Sequence, residues 1–123
     1  MPPVPIVPRP LNAAEKAVLK HILTSNFVGA SELRSQIDQA EVIATWTPRS
    51  VSIDLRVREP VRRASLVSNL VPVDAQVLDE CGEYVGELLV WVEDGAALAG
   101  LEYAWVTDEM PTSLPPVERI RLT

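Results

Sequence analysis

The sequence has one cysteine, Cys81, one histidine, His21, and one phenylalanine, Phe27, in 123 residues. A lone cysteine closes no disulfide within the chain, and a small secreted domain would ordinarily carry several, so a cytoplasmic setting is expected. No apolar run approaches the ~20 residues that a membrane-crossing helix needs. The first residues lack a basic start followed by a long apolar stretch, so they do not read as a secretory leader. A GxSxG elbow, a Walker loop, an HExxH helix and a CxxC pair are all missing from the sequence. His21 has no Cys, Asp or Glu at ligand spacing, which argues against a catalytic or metal role. Cys81 lies among the carboxylates of Asp79, Glu80 and Glu83, a setting that suits an inert turn residue better than a nucleophile. No catalytic residue, cofactor site or metal site is expected, and the chain reads as a binding protein without turnover on generic hydrolase substrates.

The formal net charge is −6, which disfavours bulk affinity for nucleic acid or an anionic membrane and suits a basic protein partner. The length is that of one domain, and the 47% hydrophobic content is ample for a core. Residues 1–10, MPPVPIVPRP, hold five prolines. Proline lacks the N–H that ladders require, so this stretch is expected to be an extended arm outside the helices and the sheet. Its removal is expected to leave the melting temperature within a few degrees. The domain proper is then residues 11–123.

Asn12 followed three residues later by Glu15 predicts a capped helix whose apolar stripe is Val18, Leu19, Ile22 and Leu23, ending near Ser25 or Asn26. Gly29 breaks it from a shorter helix starting at Ser31, with Leu33, Ile37 and Ala40 on one face. From Glu41 the hydrophobic period changes to two. Val42, Ala44 and Trp46 alternate in a first strand, and Val51, Ile53, Leu55 and Val57 in a second. Glu59–Pro72 reads as a loop, and Val73, Ala75 and Val77 begin a third strand that turns at Cys81–Gly82. Tyr84–Val92 and Leu98–Thr107 form a hairpin around Asp94–Gly95. The tail from Met110 carries a possible short strand at Glu118–Leu122. Helices first and strands after predict an α+β fold, with two N-terminal helices packed on a mostly antiparallel sheet of about five strands.

The charge map is uneven. Ten carboxylates and no Lys or Arg lie between Asp74 and Glu109, while five arginines lie between Arg49 and Arg63. Such asymmetry can steer and orient a partner, or the arginines can pair internally with the carboxylates. A two-residue turn at Asp94–Gly95 places Leu88, Val90 and Val92 on a core face with Leu101, Tyr103 and Trp105. The other face then holds Glu87, Leu89 and Trp91 with Leu98, Glu102 and Ala104, and sets Glu87 opposite Glu102. Like charges so opposed destabilise a sheet, which suggests use against a basic partner. Glu87, Trp91, Glu93, Asp94, Glu102, Asp108 and Glu109 are the candidate partner-binding residues, with the Arg56–Arg63 segment as the next surface. Charge reversal at Glu87, Glu93, Asp94 or Glu102 is expected to slow association, and Trp91→Ala to speed dissociation.

Residues 85–122 read VGELLVWVEDGAALAGLEYAWVTDEMPTSLPPVERIRL. Gly86-Glu87-Leu88-Leu89, Glu93-Asp94-Gly95, Leu101-Glu102-Tyr103, Trp105 and Thr107-Asp108-Glu109 followed by Pro111 resemble the C-terminal signature of a family of small bacterial proteins. Residues Phe27–Ile37 and Ser50–Leu55 are similar to it as well. Proteins of this kind are similar in size, acidity and architecture to the immunity proteins of bacterial polymorphic toxin and contact-dependent inhibition systems. Where relatives would carry a Cys/Gly-rich turn, this chain has Thr45-Trp46-Thr47-Pro48-Arg49, so no cysteine-based role carries over. The resemblance implies an immunity protein that occupies the active site or entry groove of a basic toxin, such as a nuclease or nucleotide-cleaving enzyme. An interaction module with no toxin is the alternative, and a small-ligand binder or enzyme with its site between helix and sheet is a third reading. Oligomeric state stays open at this level.

Overall fold

A computed structural model describes residues 2–123; Met1 lies outside the described residues. The chain is α+β. Its strands are β1 (Val4–Pro10), β2 (Ala40–Thr45), β3 (Ile53–Val57), β4 (Ala75–Leu78), β5 (Tyr84–Glu93), β6 (Ala97–Trp105) and β7 (Ile120–Leu122). They form one seven-stranded sheet in the order β1-β2-β3-β6-β5-β4-β7, and every neighbouring pair is antiparallel. Two helices, α1 (Ala13–Leu23) and α2 (Ala30–Gln36), precede all but the first strand. Among the described residues no helix is long and apolar enough to cross a membrane.

Helix α1 begins where local chemistry demands. The Asn12 side chain accepts the Glu15 amide at 2.8 Å, and the Glu15 carboxylate accepts the Asn12 amide at 2.9 Å. This reciprocal box satisfies two donors that a helix start otherwise leaves orphaned. Val18, Leu19, Ile22 and Leu23 are buried from that helix, and Leu33 from α2. They share one core with Val42, Ile53 and Leu55, with Leu88, Val90 and Val92, and with Leu101 and Tyr103. The helices therefore lie on one face of the sheet. Burying a Leu or Ile side chain contributes about 1.5–3 kcal/mol, so this double layer is the main source of stability.

The proline-rich arm corrects the sequence expectation. Residues Val4–Pro10 are paired to β2 through Val4↔Thr45, Pro5↔Ala44, Arg9↔Val42 and Pro10↔Glu41, with an irregularity between Pro5 and Arg9. Proline is tolerated in a ladder only at an edge, where its missing N–H faces away from a partner, and β1 is the edge. Prolines there also blunt the edge against further strand addition. Arg9 anchors the arm by a two-pronged bond to Glu15, 2.9 Å on each prong, and Glu15 is only 4% exposed. Ile6 packs against the core.

With β1 and the short β7 added to the predicted five strands, the sheet has seven. The hairpin register also differs from the expected one. Glu93 pairs with Ala97 across a three-residue loop, and an irregularity at Trp91/Val92 carries the pairing to Leu89↔Glu102 and Glu87↔Ala104. Glu87 and Glu102 thus do not oppose each other. Leu98 is buried at 2% rather than on the outer face, and Trp105 is 37% exposed rather than in the core.

The loop between β3 and β4 explains the wider turn. Asn69 accepts the Gly95 amide with its side chain and the Val92 amide with its carbonyl, at 3.1 and 2.8 Å. Gly95 has φ 68, and a Cβ there would lie 2.3 Å from the Leu66 carbonyl oxygen, so the tip requires glycine. Gln36, wholly buried, fastens the same region. Its amide nitrogen donates to the carbonyls of Arg62 (2.7 Å) and Ala96 (2.9 Å), and its oxygen accepts the Leu98 amide at 2.9 Å.

Candidate functional site

Along β5 and β6 buried residues alternate with partly exposed ones. The buried set points to the helices. The other set, Glu87, Leu89 and Trp91 from β5 with Glu102 and Ala104 from β6, forms an outer face open to solvent. Trp91 lies beside Gly100, its pairing partner, whose missing side chain leaves room for the indole. The Trp91 indole N–H donates to Glu102 Oε1 at 3.0 Å. Next to it, the Trp46 indole N–H donates to Asp54 Oδ1 at 3.1 Å. The expectation that Trp46 continues the buried alternation of Val42 and Ala44 is therefore corrected: the indole reaches the Asp54 side, because the hairpin between β2 and β3 is already turning there.

The seven sequence-predicted residues separate into three groups. Glu87, Trp91 and Glu102 share the outer face. Glu93 and Asp94 sit exposed at the hairpin tip. Asp108 and Glu109 lie beyond the other end of β6, so the nine residues of that strand separate them from the tip, about 30 Å at ~3.3 Å per residue. One partner touching all three groups must span the length of the hairpin.

The fate of the arginines decides between internal pairing and a free acidic surface. Arg56 and Arg58 pair with Glu41 at 3.5 and 3.2 Å, Arg62 with Glu32 at 3.7 Å, Arg63 with Glu59, and Arg9 with Glu15. None of these acids lies between Asp74 and Glu109. Of the ten carboxylates in that stretch only Glu80 is ion-paired among the described residues, to Arg119 at 3.4 Å. Four of the five arginines between Arg49 and Arg63 are thus paired elsewhere, and among the described residues no Lys or Arg forms an ion pair with the carboxylates of β5 and β6.

Four residues that matter here were not singled out by their sequence pattern. Trp46 and Trp105 line a cavity of about 290 Å³ together with Glu102, Ala104, Ser50 and Ser52. Ser52, 3% exposed, accepts the Tyr103 amide on its Oγ at 2.9 Å, and Ser50 Oγ accepts the Ser52 amide at 2.9 Å. Ser52→Ala is expected to strand the Tyr103 N–H and lower stability by about 1–2 kcal/mol. Urea unfolding checks this: the midpoint falls while the slope stays constant.

The bond to Glu15 holds the Arg9 guanidinium above its ordinary value, against the opposing effect of burial. Burial raises the Tyr103 phenol. His21 contacts the Ile120 carbonyl at 3.1 Å through Nε2, tying α1 to β7. Cys81 is exposed in a turn organised by Asp79 Oδ1, which accepts the amides of Cys81 and Glu83. Among the described residues no three His, Cys, Asp or Glu side chains gather as a metal site would. What the outer face offers chemically is a pair of tryptophans, apolar area and uncompensated negative charge. No family model, curated protein or solved structure matches the chain.

Proposed function

We propose that the chain is a protein-binding module that holds a basic protein partner on the open face of its sheet, with no chemistry of its own. The observation that carries this reading is the segregation of charge: four of the five arginines between Arg49 and Arg63 pair with Glu32, Glu41 and Glu59, and among the described residues Glu87 and Glu102 beside Trp91, and Glu93 and Asp94 at the tip, form no ion pair. Carboxylates speed encounter with a basic surface, and a partly exposed tryptophan among them supplies the apolar anchor. The finer proposal is an immunity protein whose partner is a toxin with a basic, phosphate-handling groove, in which carboxylates imitate phosphates. The acidity of the chain supports it.

Co-expression in a bacterial host with the product of the neighbouring reading frame tests the finer reading. Growth arrest by that product alone, lifted by this chain, is the expected result; arrest that persists with the chain abundantly expressed counts against it. For the face itself, charge reversal at Glu87 or Glu102 is expected to slow association about tenfold at low salt, with the difference shrinking as salt rises. Trp91→Ala is expected to act on dissociation instead. Stopped-flow rates at low and high salt check both, and rates indifferent to salt and to every substitution would place the interface elsewhere.

A further inference from the structure

Strands β3 and β6 pair only at Ile53↔Leu101 and Asp54↔Gly100. Beyond that point residues 46–52 and 102–105 part company, with the Ser52 hydroxyl holding the Tyr103 amide at the fork. The gap is the cavity of about 290 Å³ walled by Trp46 and Trp105, with Glu102 and Ala104 on the β6 side. That volume is at the small end for ligand sites, which suits one inserted side chain better than a whole metabolite.

We infer that this cavity receives a single cationic side chain, an arginine guanidinium or a lysine ammonium, presented by the partner. The inference rests on the proposal that the partner is a basic protein. Indole faces attract cations through the ring quadrupole, and two tryptophans wall the cavity. The N–H of Trp46 is already committed to Asp54, so its ring faces are what remain to offer. Glu102 supplies the counter-charge. Its Oε1 is fixed by Trp91, and among the described residues no cation pairs with it. Arg49, on the same turn as Trp46, lines the adjoining cavity with Arg9 and Asn12, the two cavities meeting at Ser50. A neutral occupant would cover the Glu102 carboxylate without compensating it, and an anion would meet it as a like charge.

The chain has three tryptophans, so three indole N–H signals report on the site in a nitrogen–proton correlation spectrum. The whole chain is titrated with Nα-acetyl-arginine amide, with Nα-acetyl-lysine amide and with the neutral Nα-acetyl-citrulline amide. The expected result is a saturable shift of the Trp46 and Trp105 signals with a cationic probe, at a Kd on the order of a few millimolar, as befits one side chain without its protein. Whichever cation binds more tightly identifies the group. Glu102→Gln is expected to weaken that response at least fivefold with the amide spectrum otherwise preserved, and citrulline is expected to give no saturable shift. Equal shifts with citrulline, or no saturation by about 50 mM of either cation, would overturn the cavity assignment. The protein partner is measured separately: binding retained by an outer-face charge reversal at Glu87 would sink the face reading while leaving an intact cation response, and the cavity, in place.

Discussion

Gln36→Leu is expected to destabilise the fold more than any other single substitution on the polar side of its architecture. The glutamine side chain is fully buried and makes three bonds, to the carbonyls of Arg62 and Ala96 and from the amide of Leu98. Leucine is one bond shorter than glutamine but comparable in volume, so the change removes the bonds while keeping most of the space filled. The Ala96 carbonyl keeps a second donor, the Ala64 amide at 3.0 Å. The Arg62 carbonyl and the Leu98 amide lose the glutamine. Leaving these two groups without the glutamine costs about 1–3 kcal/mol each, so a loss of roughly 2–6 kcal/mol is expected. In urea this is a midpoint lower by about 1–3 M for a domain of this size. A loss below about 0.5 kcal/mol would mean that the side chain does not staple α2, the long loop and the hairpin together.

Deleting residues 1–10 is the second large effect, and it reverses what their proline content alone suggests. The deletion removes β1, the Ile6 packing and the Arg9 bonds to Glu15. Glu15 would keep the Asn12 amide but would face its buried surroundings as an unpaired charge, which is strongly destabilising. A loss of about 3–5 kcal/mol is expected, corresponding to a melting temperature lower by roughly 10–25 °C. Arg9→Ala should reproduce part of it, about 1–3 kcal/mol, because the Arg9 side chain is 39% exposed and solvent screens the pair. Adding Glu15→Gln to Arg9→Ala should restore stability, since a neutral amide does not need the guanidinium. Calorimetry of the four proteins separates the strand from the ion pair. The truncated chain should also associate at high concentration, because β2 becomes an unprotected edge.

The parts of this fold that were legible in the sequence are those decided by near neighbours. Asn12 and Glu15 are three residues apart, so the start of α1 could be read from spacing alone. The alternation of Ile53 with Leu55, and of Leu88 with Val90 and Val92, identified the buried faces correctly because one side of each strand must meet the helices. The hairpin register was not legible. Asp94–Gly95 signals a two-residue turn, but the tip is set by Leu66 and Asn69 from a distant loop, which a local pattern does not contain. The arm was misread for a related reason. Whether prolines exclude a strand depends on whether that strand is an edge, and edge position is a property of the whole sheet.

The candidate site was legible in composition and not in shape. The excess of carboxylates between Asp74 and Glu109 was visible, and so was the placement of Trp91 and Glu102 on one face of the hairpin. Which arginines would be consumed internally was not, because Glu32 and Glu41 come from α2 and β2. The cavity of Trp46 and Trp105 was hidden by the same alternation that found the core. Both tryptophans sit at strand ends, where the pattern of two loses its meaning, and the fork that exposes them depends on one buried serine.

A basic protein is expected to dock on the outer face of the sheet. The most direct measurement places a photo-crosslinking amino acid at Leu89, in the middle of that face, and in a second variant at Ser35, an exposed position on α2. Each is expressed in the organism of origin, irradiated, and its adducts identified by mass spectrometry. The expected result is one basic protein captured from position 89, lost at high salt and lost when Glu102 is reversed, with no such adduct from position 35. The same protein captured from position 35 and absent from position 89 would contradict it.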